Sequence, residues 1–342
     1  MADDGSSVAV IGAGIVGGSI AWRLAQAGAV VTLLDAGVLG GETSWAGAGM
    51  LAPGGELIAR SGWAAFALES MARYPAFVEE LAAESGIGID YRRCGAMEFA
   101  HSEADWQELR ERRESQQALG IRSEQRAGAL YYPDDALVDP RQVMQALRGA
   151  LRQQGVSIVE NTKVHAIQPG TRRVNVVTPG GGVIADWAVL AAGAWSSEIP
   201  ISGFAIPRTF PVRGHLLGYS MAPGSLGPIL RHGHTYVMQR TSGFTIAGTS
   251  SEQAGFDRTI DPKIVAGIHA AACELLPALS TAQRTDAWLG FRPATEDFEP
   301  VIGRLQDTRL WLAYGHYRNG ILLAPATAAR VAREIRSSLE KG

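Results

Sequence analysis

Gly12-Ala13-Gly14-Ile15-Val16-Gly17 sets three glycines at a spacing with a specific chemical use. The first permits a tight turn, the second lets backbone approach a diphosphate, and the third lets a helix pack closely on a strand. Asp35 follows 21 residues after Gly14. Its carboxylate can accept hydrogen bonds from both hydroxyls of a ribose, and its charge repels a 2′-phosphate. Three glycines alone also occur in a merely structural turn, so the context decides. Here the run follows an apolar segment and opens a helix, the conditions that a dinucleotide site requires. Downstream, Gly40–Met50 is a loop of small residues that offers N–H groups and hydroxyls along an extended ligand. A nicotinamide domain normally moves directly to its next crossover, so this loop favours FAD over NAD. The run Val189–Trp195 ends an apolar strand at Gly193, where backbone can approach a ligand or simply turn. Finally, Gly315–Pro325 joins a strand to a helix, with Arg318 at the mouth of the turn. The start of that helix presents N–H donors and a positive dipole to a group that becomes negative, such as a reduced flavin.

Positioning these groups requires particular elements. Val8–Ile11 reads as a buried parallel strand, Ile15–Ala27 as a helix with Val16, Ile20 and Leu24 on one face, and Val30–Leu34 as the second strand. Gly28 stops the helix. Helices are further predicted over Trp63–Ser85, with a kink at Pro75, from Ser102 and Asp105 to about Leu119, and from Asp139-Pro140 to Gly155, with Val143, Leu147 and Leu151 buried. Residues 261–276 and Gly320 to about Leu339 also read as helical. Strands are predicted at Ser157–Val159, Lys163–Ile167, Val174–Thr178, Trp187–Leu190 and Leu310–Tyr314. The β-forming, glycine-broken stretch 208–250 predicts an antiparallel sheet.

The 342 residues exceed what one core comfortably serves, which predicts two domains or one large two-lobed unit. Net charge is −3, and all but three of the 31 basic residues (Lys163, Lys263, Lys341) are arginine. They are scattered, so no nucleic-acid footprint appears. Cys94 and Cys273 suit reduced structural thiols in the cytoplasm and can form neither a disulfide scaffold nor a zinc site. No apolar stretch is long enough to span a membrane and no signal peptide is evident. No metal-ligand spacing, paired carboxylates or Ser-His-Asp order is present, so no metal and no catalytic acid or base is expected.

The segments TSWAGAGMLAP (43–53), PVRGH (211–215), GFRPATEDFEPVIG (290–303) and GHYRNGILLAPAT (315–327) resemble the FAD-dependent D-amino-acid oxidase superfamily, and within it the glycine oxidase (ThiO) branch. The resemblance implies an α/β two-domain flavoprotein in which a Rossmann-like FAD domain interleaves with a substrate domain built on an antiparallel sheet. It divides the chain into residues 1–55, 140–200 and 288–342 for FAD and 56–139 and 201–287 for substrate. It implies FAD contacts at Gly12, Gly14, Ile15, Val16, Gly17, Asp35, Ala36, Thr43, Ser44, Ala48, Gly49, Met50, Val164 and Gly193. His316, Tyr317, Arg318, Asn319, Gly320, Ile321 and Leu322 complete that set. Arg292 and Arg318 match carboxylate-binding arginines, and Tyr236 and His234 match pocket residues. Neither cysteine lies in a segment that would hold flavin covalently, so noncovalent FAD is implied. The partners implied are a small amino acid and molecular oxygen, with a homo-oligomer left open. Glycine, sarcosine, D-alanine and larger amino acids remain open as substrates, as do a quinone acceptor and a flavin-binding protein without turnover.

Overall fold

In the computed structural model, residues 6–56 and 62–339 are described. A six-stranded sheet runs in the order Val301–Arg304, Leu310–Tyr314, Trp187–Leu190, Ser7–Ile11, Val30–Leu34, Ser157–Val159. Its pairings are parallel except the first. Strand alternation divides its two faces. Val8, Val10, Trp187 and Val189 join a core with the helices Ile15–Gln26, Gly62–Ser85, Pro140–Gln153 and Gly320–Leu339. Ala9, Ile11, Ala188 and Leu190 turn the other way, onto the three-stranded meander Ala166–Pro169, Val174–Thr178, Gly181–Ala185. Burial on both faces is why these strands read as unbroken apolar runs.

The second sheet has eight strands in the order Gln283–Ala294, Phe210–Ser220, Phe244–Gly248, Thr235–Gln239, Ile229–His232, Ala96–Phe99, Ala129–Tyr132, Glu124–Arg126. All pairs are antiparallel except Ile229–His232 with Ala96–Phe99. Here too, period-2 alternation sorts the side chains. Leu217, Tyr219, Val237 and Ala247 pack on the helix Pro262–Leu275, whereas Leu216, Tyr236, Met238 and Ile246 face Ala46 and Ala48.

The local signals are visible in place. Ser102 and Asp105 form a reciprocal capping box at the helix Glu103–Gln117, and Asp139 accepts from the Arg141 amide at 2.9 Å. Pro75 lies inside the continuous helix Gly62–Ser85. The elements differ from the sequence reading in places. The strand predicted at Lys163–Ile167 is found at Ala166–Pro169, because Lys163 and Val164 line the cavity instead. Gln283–Ala294 is a twelve-residue strand that no periodicity announced: its first four residues are exposed and polar, and Gly290 and Pro293 interrupt its second half. Pro293 is tolerated because this is an edge strand. The expected domain boundary at 287/288 cuts this strand, which belongs wholly to the eight-stranded sheet; we propose a junction after Ala294 instead. The helix Gly62–Ser85, assigned by resemblance to the substrate part, packs Tyr74, Phe77 and Leu81 into the core of the six-stranded sheet.

Candidate functional site

The glycine run turns between the first strand and the first helix. Gly12 has φ +101, and a Cβ there would lie 2.4 Å from the Ala191 carbonyl oxygen. A Cβ on Gly17 would lie 1.9 Å from the Gly12 oxygen, so that glycine seats the helix on the turn. At the helix start, the Ile15 N–H donates to Ser44 Oγ at 2.9 Å, while the Gly14 and Val16 amides have no partner among the described residues. Both residues line a cavity of about 440 Å³. Free N–H donors at a helix N-terminus facing an open cavity fit a diphosphate. Asp35 stands at the same wall. One of its oxygens accepts the Ala13 N–H at 2.7 Å and the other the Gly37 N–H at 2.8 Å. Each oxygen keeps a second lone pair for a ribose hydroxyl. Burial pushes the Asp35 carboxyl up, and the two backbone bonds only partly offset this.

The cavity continues from this end along a chain of contacts. Thr162 and Val164 line it beside Asp35, and the Thr162 N–H donates to the Asp35 carbonyl at 2.8 Å. Ser44 leads to Thr43, whose hydroxyl donates to the Phe291 carbonyl at 2.7 Å. Arg292 follows on the edge strand, and the Pro293 carbonyl accepts the Tyr317 N–H at 2.9 Å. That bond brings the Arg292 strand beside the Arg318 turn, although 26 positions separate the two arginines. At the start of the helix Gly320–Leu339, the Gly320 and Ile321 amides have no partner among the described residues, and both residues line the cavity. His316 is buried, with Nε2 3.1 Å from Thr327 Oγ1, and burial pulls it down to about 4. At neutral pH it is therefore uncharged and adds no charge to the positive end of this helix.

At the far end, the Tyr236 ring covers Gly248, where a Cβ would lie 2.5 Å from the Tyr236 hydroxyl oxygen. Arg292 reaches across Gly214, donating Nη1–H to the Ser250 carbonyl at 3.0 Å and Nη2–H to Thr249 Oγ1 at 2.6 Å. Arg318 is exposed at the cavity rim. A guanidinium fork can hold a carboxylate by two parallel bonds, which fixes the neighbouring carbon in place.

Of the residues expected to contact FAD, all but Gly17 and Leu322 line this cavity. Gly17 serves the packing of the turn, and Leu322 is buried in the helical core. His234 is corrected: it is exposed in the turn between Ile229–His232 and Thr235–Gln239 and does not line the cavity. A position two residues before Tyr236 shares its strand face only if the strand reaches that far, and this strand begins at Thr235. Cys94 and Cys273 are also outside the lining. The sequence reading missed Trp195 and the pair Arg258–Glu42, which meets at 2.8 Å at the rim. Trp195 directly follows the Gly193-Ala194 turn, so its place in that run was the available signal. Arg258 carried none, being one arginine among many in a loop.

Comparison with known proteins agrees with this geometry. Residues 7–334 match the family described as FAD dependent oxidoreductase, DAO. The chain is 36% identical over 341 residues to the bifunctional protein ThiO/ThiG of Synechocystis sp., covering 95% of this chain but 51% of that protein. It thus spans about half the length of that relative. It is 33% identical over 335 residues to the glycine oxidase of Bacillus subtilis, covering 94% of this chain and 90% of that enzyme. The crystal structure of glycine oxidase from Geobacillus kaustophilus superposes with a TM-score of 0.91 at 28% identity, covering 97% of this chain and 95% of that one. Among the described residues no helix is long and apolar enough to cross a membrane. The cofactor is FAD, and the glycine turn, the unpartnered amides and Asp35 are the residues suited to hold it. The chain belongs to the DAO family of FAD-dependent oxidoreductases and, within it, stands with the amino-acid oxidases.

Proposed function

We propose that this protein oxidises a small amino acid, with glycine the first candidate, to an imine that water converts to a 2-oxo acid and ammonia. One observation carries the reading: Arg292 and Arg318 line the same cavity end, joined through the Tyr317–Pro293 hydrogen bond. Two guanidinium groups and the Tyr236 hydroxyl are suited to receive one carboxylate. Tyr236 is buried and packed over Gly248, which narrows this end and favours a short side chain. Bound FAD supplies the two-electron acceptor for the Cα hydride, and molecular oxygen is the terminal acceptor, leaving as hydrogen peroxide. The protein's own part is to fix the carboxylate and so hold the Cα–H in reacting position. The substrate enters as the neutral amine, so the hydride step calls for no side-chain base. FAD is held without a covalent bond, since neither cysteine reaches the cavity. The likeness to ThiO/ThiG supports a role for the imine in building the thiazole ring of thiamine. The test is peroxide release from the purified protein across glycine, sarcosine, D-alanine and larger amino acids. Highest kcat/KM with glycine supports the reading; no peroxide from any of them rejects it.

A further inference from the structure

A connected set of polar groups lies behind Arg292 and ends on the two atoms that hold it. In the strand Phe210–Ser220, Gly214 and Leu216 face the cavity, so Arg213 and His215 point to the opposite side. Both are buried, His215 completely. There they meet Glu252, whose backbone pairs with that of Arg213 as an isolated bridge. Glu252 Oε1 accepts from His215 Nδ1 at 2.9 Å and from the Ser250 hydroxyl at 2.6 Å. Its Oε2 accepts from Arg213 Nε at 3.0 Å. The His215 tautomer follows from its other nitrogen: Nε2 accepts the Asp261 N–H at 3.3 Å, so Nδ1 carries the proton. The His215 N–H donates to Ser250 Oγ at 2.9 Å, and the Thr249 hydroxyl donates to the His215 carbonyl at 3.0 Å. Residues 249–252 are thereby fixed at both side chains and main chain. The Arg292 fork rests on this segment, on the Ser250 carbonyl and Thr249 Oγ1.

We infer that Glu252, acting through His215 and Ser250, is a positioning residue that sets the Arg292 guanidinium in the orientation that receives the substrate carboxylate. The carboxylate suits the task because it takes several donors at once: His215, Ser250 and Arg213 offer only hydrogens to it. An amide in its place presents one acceptor oxygen and an NH2 group, so at least one of these donors faces another donor. The segment 249–250 then loses its anchor while the strand pairings on either side stay intact. Arg213 also donates to Asp257 at 2.6 Å, so its charge keeps a partner when Glu252 is changed.

This inference rests on Arg292 as the carboxylate clamp, and acetate serves as a probe of that clamp independent of turnover. The holoenzyme is titrated with acetate, following the flavin absorbance, for the native protein, Glu252→Gln and Ser250→Ala. Glycine kcat and KM, FAD retention and Tm are measured alongside. The expected result for Glu252→Gln is a rise of roughly 10-fold in both acetate Kd and glycine KM, the scale of one lost charge-assisted hydrogen bond, with kcat within about 3-fold. If Glu252→Gln fails to retain FAD, Ser250→Ala decides: it removes the bridge without stranding a charge, and a rise of about 3-fold or more in acetate Kd supports the inference. A lowered Tm with acetate affinity unchanged in either FAD-retaining variant assigns the network to stability alone and overturns it. So does native protein that binds no acetate. If native protein binds acetate but oxidises no amino acid, the proposed function fails while the acetate comparison still decides the role of Glu252.

Discussion

The two ends of the cavity are built by different means. At the Asp35 end, the lining comes mainly from residues 11–44, the short turn at 162–164 and the strand end at 191–193, and its open donors are main-chain N–H groups. At the Arg292 end, the groups come from five separated segments, around 214, 236, 249, 292 and 318, and most are side chains. Main-chain donors need only a turn of the right shape, which a short spacing of glycines dictates. Side-chain donors need a sheet to bring their strands together, and no local spacing records that. A cofactor common to many proteins can thus be written in one stretch of sequence, while substrate choice is distributed over the fold.

This contrast predicts that mutations at the two ends separate cleanly. The largest effect is expected for Arg292→Ala. Leaving a substrate carboxylate without its enclosed partner costs about 2–5 kcal/mol, so kcat/KM should fall by roughly 30- to 5,000-fold. FAD should remain bound; its loss would erase the distinction between the two ends. Next is Arg318→Ala, where the exposed rim position lowers the expectation to the value of one charge-assisted pair, roughly 10- to 150-fold in kcat/KM. Arg318→Lys should recover only part, because an ammonium cannot form the fork. Comparing an amino acid with its decarboxylated amine sharpens this: equal losses on both would move Arg318 from the substrate to the flavin or the fold. At the opposite end, Asp35→Ala should raise the FAD dissociation constant at least ~10-fold, by loss of charge-assisted bonds to the ribose. Turnover at saturating FAD should hardly change, and a large drop in kcat there would contradict the division. The smallest effect is expected for Arg258→Gln. Its pair with Glu42 is more than half exposed on the arginine side, and such pairs contribute under about 1 kcal/mol, so kcat/KM should change less than ~5-fold.

Much of the parallel sheet was legible in the sequence because its strands are buried on both faces. Val30–Leu34, Trp187–Leu190 and Leu310–Tyr314 stand where the apolar runs ended, and the first strand extends one residue further, to Ser7. The long strand carrying Arg292 was not, since its first four residues are exposed and polar and its second half contains glycine and proline. Arg292 itself came from resemblance of the GFRPAT segment and Tyr236 from that of His234–Val237; neither has a spacing that marks it. His234 was misassigned for the same reason: a matched motif gives neighbours in sequence, and the strand start at Thr235 decides which of them turn inward. Glu252 and His215 were invisible as a pair, because their contact depends on the chain doubling back beside Arg213 after Gly248.

The order of the six-stranded sheet also dictates when the protein can become a flavoprotein during synthesis. Ser7–Ile11 pairs early with Val30–Leu34, but its other neighbour, Trp187–Leu190, is made much later, and Leu310–Tyr314 later still. Without those partners, Ser7–Ile11 has one unpaired apolar edge, a kind of surface prone to pairing with other chains. The helix start at Gly320 closes the cavity after all of these. A cavity with both ends in place therefore needs the chain through Gly320, and without Leu310–Tyr314 the Trp187–Leu190 edge is unpaired.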